Sequence, residues 1–353
     1  MHKTYKFRIK DSTHKAMLTR KASSVNFIWN YCNEISQKSA LRRSGNKLRQ
    51  WVSFYDLSKL IKGASRELEL NTGTIAEICK VFIAKRNKAK RPKLRWRNSK
   101  SLGWIPMRGT IVQVKGDTVT YLGRKMRFWK SREIEGRIVY GSFNQDSQGH
   151  WYVNIVCEVA ELPKTQAAKA IGIDLGLKDL AVCSDGQVVQ NNRTTAKYAG
   201  QLAKAQRARK KKRVTKIYAK IKNVRKDFLH KESTKLVRAN KQIFIGDVSS
   251  SKLVKTKMAK SVLDAGWGDF KTMLAYKAIR LGVDFQIVDE KYSTVTCSTC
   301  NERSGPSGLG ALGVRDWKCS GCGSQHLRDV NAATNILNFG LRHQTPKGES
   351  IYV

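Results

Sequence analysis

Ile171-Gly172-Ile173-Asp174-Leu175-Gly176 is a short apolar run that ends on a carboxylate. It reads as a strand, and a carboxylate there costs several kcal/mol to desolvate unless it is paired or binds metal. Asp174 is therefore either a strand-end cap or a ligand. Downstream come a hairpin from Leu180 to Val189 turning at Asp185-Gly186, a long helical stretch and two further strands. That alternation predicts an α/β domain.

A second carboxylate stands in a comparable place. Asp329, in His326-Leu327-Arg328-Asp329-Val330-Asn331-Ala332-Ala333, opens the C-terminal helix. An acid there could equally serve the positive end of the helix dipole. Just before it lie Cys297-Ser298-Thr299-Cys300 and, after 18 residues, Cys319-Ser320-Gly321-Cys322. Cys297, Cys300, Cys319 and Cys322 supply a closed tetrahedral set that suits structural zinc and leaves no position open for catalysis. Gly321 and Gly323 relieve the backbone, and a redox pair is the lesser reading. Cys32, Cys79, Cys157 and Cys183 are lone and sit in apolar or mixed segments, as small buried hydrophobes do.

The wider composition points to a polyanion. Among 353 residues there are 68 Lys and Arg against 27 Asp and Glu, a formal charge of +41. Each cation that neutralises a phosphate releases condensed counterions, so nucleic acid is the expected partner and a membrane surface the minor one. At 41% hydrophobic and 8% aromatic the chain can build a sizeable core, which excludes a wholly disordered basic tail. No apolar run reaches the ~18 residues of a bilayer span, and Met1-His2-Lys3-Thr4-Tyr5-Lys6 lacks the stretch of a secretory signal. A soluble, cytoplasmic protein is expected.

Towards the N-terminus, Tyr5, Phe7 and Ile9 alternate with Lys6, Arg8 and Lys10, the period of a strand with one buried and one basic face. Lys6 and Arg8 are candidate phosphate contacts. Residues 13 to 90 carry apolar positions at helical spacing and no proline. They run into Lys85-Arg86-Asn87-Lys88-Ala89-Lys90-Arg91-Pro92-Lys93-Leu94-Arg95-Trp96-Arg97, eight cations in thirteen residues. There Lys90, Arg91, Arg95 and Trp96 can grip phosphates and stack a base; the plainer reading is a solvated loop. Residues 110 to 160 give strand signals, including Arg137-Ile138-Val139-Tyr140 and Trp151-Tyr152-Val153-Asn154-Ile155-Val156. With residues 3 to 10 they predict a small barrel. A polar linker from Leu162-Pro163-Lys164 to Ala168 marks a domain boundary.

Between Gln187 and Lys226 there is no acid, and twelve cations fall from Lys204 to Lys226. Uniform positive charge on a helix repels itself unless an outside partner offsets it, which singles out Arg207, Lys211, Lys212 and Arg213. Leu263, Trp267, Phe270 and Leu274 follow the spacing of one buried helix face.

Taken together these segments resemble the transposon-encoded TnpB family of RuvC-like nucleases, relatives of the compact type V CRISPR effectors. The resemblance rests on Lys3-Thr4-Tyr5-Lys6-Phe7-Arg8, Gly172-Ile173-Asp174-Leu175-Gly176, Lys226-Asp227-Phe228-Leu229-His230-Lys231, Tyr292-Ser293-Thr294 before the first CxxC, and Arg328-Asp329-Val330-Asn331-Ala332-Ala333. It spans essentially the whole chain and adds Lys231 and Arg328 to the candidate nucleic-acid contacts. His230 is either a packed core histidine or one more contact.

What the resemblance implies is an RNA-guided DNA endonuclease. Guide RNA from the transposon end pairs with one DNA strand while the protein reads a short flanking motif. A single RNase H-like site then cuts with two Mg²⁺ ions, Asp174 and Asp329 being the first and third ligands. The implied architecture is bilobed α/β plus β-barrel: a wedge barrel of oligonucleotide-binding type (1–12 and 101–165), a helical recognition insertion (13–100), a RuvC domain (166–296 and 323–341), a zinc ribbon (297–322) and a tail (342–353).

The second ligand departs from the family pattern. The family strand usually ends Glu-Asp-Leu, whereas here it reads Ile243-Phe244-Ile245-Gly246-Asp247-Val248. Gly246 cannot bind metal, and Asp247 would face the other side of the strand. Glu290, ending Phe285-Gln286-Ile287-Val288-Asp289-Glu290, is the preferred candidate because the adjacent strand lets it reach the same ions. Asp247 is the second choice, and loss of the nuclease the third. Rival readings are a cleavage-inactive RNA-guided repressor, a different metal-dependent transposase and a zinc-ribbon RNA-binding protein. Retention of both aspartates, the ribbon's position and the α/β domain argue against them in turn.

Overall fold

In the computed structural model, which describes residues 1–10, 14–41, 51–160, 165–311 and 313–343, the alternating N-terminal segment forms a strand, β1 (His2–Arg8). It buries Tyr5 and Phe7 and exposes Lys6 and Arg8. The chain divides into two units, Met1–Ala160 and Glu161–Val353. The linker Leu162-Pro163-Lys164 and tail residues 344–353 lie outside the described residues.

After β1 the first unit runs α1 (Lys15–Leu41), α2 (Phe54–Leu60), α3 (Ala64–Glu67), α4 (Thr72–Ala89), β2 (Trp104–Arg108), β3 (Gln113–Lys115), β4 (Thr118–Tyr121), β5 (Arg124–Arg127), β6 (Arg137–Gln145) and β7 (Trp151–Glu158). Local chemistry sets the helix ends. Ser53 and Asp56 close a reciprocal capping box on α2, and Asn71 caps α4, which ends at left-handed Lys90 just ahead of Pro92. The expected barrel takes the form of two open sheets, β1-β7-β6-β2 and β3-β4-β5, all antiparallel and joined by a bridge between Ile9 and Phe128. No sheet closes on itself among the described residues. Both sheets and helices α1 and α4 share one core, in which the Phe7 and Phe128 rings stack at 5.0 Å. Cys32 and Cys79 are buried as expected, but they are not isolated from each other. Their sulfurs meet 3.9 Å apart between α1 and α4, a proximity invisible at a separation of 47 residues.

The second unit runs β8 (Ala170–Leu175), β9 (Asp179–Cys183), β10 (Val188–Gln190), α5 (Thr194–Lys197), α6 (Ala199–Arg207), α7 (Lys211–Ala239), β11 (Gln242–Gly246), α8 (Ser250–Leu253), α9 (Ala259–Ala265), α10 (Trp267–Leu281), β12 (Asp284–Val288), β13 (Asp316–Lys318), β14 (Gln325–Leu327) and α11 (Arg328–Arg342). Its main sheet has the order β10-β9-β8-β11-β12, antiparallel across the first three strands and parallel from β8 to β12. Ile171, Ile173, Ile243 and Ile245 lie fully enclosed there, as strands covered on both faces require. Leu263 corrects the single-face reading: it is 62% exposed, whereas Trp267, Phe270 and Leu274 are buried. Gly266, at φ +70°, ends α9 and starts α10 in a new direction, so the spacing does not carry across it. Among the described residues no helix is long and apolar enough to cross a membrane.

Helix α11 rides closely on β8. A Cβ at Gly172 would collide with the Ala333 carbonyl and stand 2.7 Å from the Leu337 nitrogen. Backbone cannot yield as a flexible side chain does, so Gly172→Ala is expected to cost about 3 kcal/mol. Denaturant melting checks this, and a variant with unchanged midpoint would contradict the close packing.

Candidate functional site

β8 delivers Asp174 one residue before its end, and α11 delivers Asp329 at its second residue. Glu290 follows β12 by two residues. These acids, from distant parts of the chain, feel one another. Burial, then the charges of Glu290 and Asp329, push the Asp174 carboxyl up to about 8.

The register places Gly246 beside Val288 in the parallel pair of β11 and β12. The Glu290 side chain folds back over that glycine. A Cβ at position 246 would run into Glu290 Oε2, with the Glu290 Cβ at 3.3 Å and Ile336 Cδ1 at 3.2 Å. Glu290 Oε2 is itself buried without a hydrogen-bond partner among the described residues. Burial raises this carboxyl, while the Lys271 ammonium opposes the shift. Asp247 points elsewhere: its side chain is 67% exposed, with Lys271 Nζ at 3.4 Å.

Asp329 has a partner that sequence reasoning missed. Arg315 Nη1 donates to Oδ1 at 2.8 Å and to Oδ2 at 2.5 Å. A single arginine ahead of a short strand carries no sequence signal of its own. Arg328 also departs from the picture of an outward phosphate contact. Its guanidinium donates to the Ala311 carbonyl at 3.0 Å and favours the ionised form of Asp174.

Beside this cluster the four cysteines converge, with all sulfurs within 4.8 Å of one another. Cys297 and Cys322 stand 3.7 Å apart, and Cys300 and Cys319 3.6 Å. A tetrahedron of ~2.3 Å metal–sulfur bonds has edges of ~3.8 Å, so the set fits one ion. Two tight turns make it: Asn301 N bonds the Cys297 carbonyl at 2.9 Å, and Gly323 N the Cys319 carbonyl at 3.0 Å. His326 Nε2 approaches Cys297 Sγ at 3.1 Å.

The turn that leads into these cysteines is bolted to α11. Asn331 Oδ1 accepts from Ser298 N at 2.9 Å, and its amide donates to the Thr296 carbonyl at 2.7 Å. Asn335 donates to the Ser293 carbonyl at 2.8 Å and to Thr296 at 2.7 Å. Their i,i+4 spacing on one buried face was the available signal.

The nucleic-acid candidates are mostly at the surface. Lys6, Arg8, Lys90, Arg91, Arg95 and Trp96 are exposed on the first unit. On the second, Arg207, Lys211, Lys212 and Arg213 are exposed around the turn from α6 to α7. Lys231 is exposed but already paired with Asp227 at 2.8 Å. His230 is part-buried, and Tyr276 Oη lies 3.3 Å from its Nδ1.

A solved Cas12f1–sgRNA–target DNA complex superposes on 96% of this chain and 99% of its own with a TM-score of 0.63, at 13% identity. The Cas12f1-like TNB domain model matches residues 267–336, and the OrfB_IS605 probable transposase model matches residues 154–257. A Streptomyces pristinaespiralis protein described as "Putative RNA-guided DNA endonuclease" is 32% identical over 316 residues, covering 85% of this chain and 77% of the relative. InsQ of Escherichia coli K12, described in the same words, is 24% identical over 95% of this chain and 92% of its own length. The chain belongs to the TnpB family of transposon-associated RNA-guided endonucleases.

Proposed function

We propose that this protein is an RNA-guided DNA endonuclease that cuts duplex target DNA after guide RNA pairing and recognition of a short flanking motif. The observation that carries it is that Asp174 feels the charges of both Glu290 and Asp329, while the Asp174 carboxyl and the orphaned Glu290 oxygen are each electrostatically costly to ionise unless a cation sits beside them. The orphaned Glu290 oxygen and the raised Asp174 carboxyl suit a pair of Mg²⁺ ions. Such ions, when bound, supply the positive charge that activates water and steadies the leaving oxygen. The three carboxylates hold and orient that charge, and Glu290 fills the space vacated at Gly246. Cys297, Cys300, Cys319 and Cys322 would hold structural zinc in a ribbon. The sheets of the first unit act as a wedge, and residues 13–100 as the recognition insertion. Guide RNA from the transposon end and target DNA are the partners. The test is Mg²⁺-dependent cleavage by protein purified with its RNA, set against an Asp174→Ala variant; equal cutting by both would remove the proposal.

Two further results are expected. Affinity for RNA should fall by about 10³-fold or more between low and moderate salt, as many phosphate contacts imply; a flat response in filter binding would contradict it. The second concerns pH. The folded chain holds a proton on Asp174 up to about pH 8, whereas the unfolded chain releases it near the ordinary aspartate value. In metal-free buffer this contribution to stability is complete below about pH 4 and is lost as pH rises through about 8. Mg²⁺ pairs with the ionised form, so it should raise Tm more at pH ~8.5 than at pH ~5. Equal Mg²⁺ shifts at both values would argue against the carboxylate site.

A further inference from the structure

The cationic segment after α4 is held in an unusual way. Lys90, Arg91, Lys93 and Arg95 are exposed and form no ion pair among the described residues. Left alone, such a strip repels itself and wanders. Here α1 fixes its backbone with asparagines. Asn33 donates to the Leu94 carbonyl at 2.9 Å and accepts from the Leu94 nitrogen at 2.8 Å. Asn30 does the same for Arg97, at 2.7 and 2.9 Å. Each carboxamide thus stands in for the neighbouring strand that the segment lacks. Trp29 Nε1 adds a bond to the Arg95 carbonyl at 3.2 Å, and Asn26 Oδ1 accepts from Arg97 Nε at 2.5 Å. Asn33 and Leu94 are buried, so these bonds work away from water.

Between the pinned residues, Arg95 and Trp96 face outward. The other tryptophans nearby are occupied: Lys85 lies over Trp29 and Trp104, and Arg97 over Trp104. Trp96 is 43% exposed and has no ring or cation partner among the described residues. A large flat ring on an immobilised backbone, between cations without acids, is pre-organised for a π-face that comes attached to phosphates.

We propose that residues 90–97 form a rigid rail for single-stranded nucleic acid, with the exposed cations on its phosphates and Trp96 stacking one unpaired base. This rests on the nucleic-acid reading above and names the contact that distinguishes a single strand from a duplex, whose bases are already stacked. The experiment uses full-length protein without Mg²⁺. Its probes are oligouridylate RNA and oligothymidylate DNA, each with one fluorescent base analogue, and a blunt duplex. Trp96→Ala should lose about tenfold in single-strand affinity together with quenching of the analogue. Trp96→Phe should keep both, and duplex affinity should stay unchanged. Loss confined to the RNA probe supports the rail with guide RNA on it, and loss confined to the DNA probe supports it with a displaced strand. Unchanged quenching and affinity in Trp96→Ala, or an equal loss for the duplex, would overturn the rail. Guided cleavage measured in parallel separates the two readings, since the rail can fail while cleavage persists and cleavage can fail while stacking persists.

Discussion

Glu290→Ala is expected to lower Mg²⁺-dependent cleavage by about 10³-fold or more, the scale felt when one member of a catalytic unit is removed. RNA binding should be untouched, because Glu290 lies in the carboxylate cluster and not on a cationic surface. Asp247→Ala should cut within about twofold of the parent, since Asp247 is solvent-facing and its ion pair with Lys271 is an exposed one. The space argument sharpens the expectation. A side chain at position 246 and the Glu290 carboxylate compete for one volume. Gly246→Glu alone should therefore be damaged by crowding, whereas Gly246→Glu combined with Glu290→Ala should recover part of the activity. Full cutting by Glu290→Ala with none by Asp247→Ala would reverse the assignment.

The legible parts of this molecule are those where a local pattern suffices. The alternation at Tyr5, Phe7 and Ile9, the apolar run ending at Asp174 and the two CxxC turns each announce their structure within a few residues. Glu290 was within reach because a parallel neighbour to β11 fixes which side chains can meet. What stayed hidden depends on tertiary proximity. Nothing in sequence brings Arg315 to Asp329, or Cys32 to Cys79. The asparagines of α1 read only as polar positions in a helix until the segment they pin is in view. The Leu263 spacing misled because one glycine changed the helix direction, and periodicity counts residues without sensing a break.

Cys319→Ser is expected to abolish zinc binding by the four-cysteine set and, through it, to disturb much of the carboxylate site. Structural zinc sites contribute roughly 10 kcal/mol or more of binding free energy near neutral pH, and three thiolates with a hydroxyl hold the ion far less well. The damage should travel. Without the ion the turns around Cys297 and Cys319 lose their common anchor, and the segment from Ser293 to Ser298 is left with its side-chain ties to Asn331 and Asn335 and its backbone bonds to Glu302 and Gly305. Those asparagines sit on the helix that carries Asp329, and Arg315, its ion-pair partner, lies between the two cysteine turns. Loosening the ribbon therefore releases Asp329 from two directions. Metal analysis should show the zinc gone, limited proteolysis should open between Cys300 and Cys319, and cleavage should fall although no carboxylate has changed. Asn335→Ala offers the complementary case: zinc retained, Asp329 less well placed, and cleavage reduced to a smaller degree. Stoichiometric zinc in Cys319→Ser, or full cleavage after its loss, would break the proposed chain of support from cysteine cluster to carboxylate.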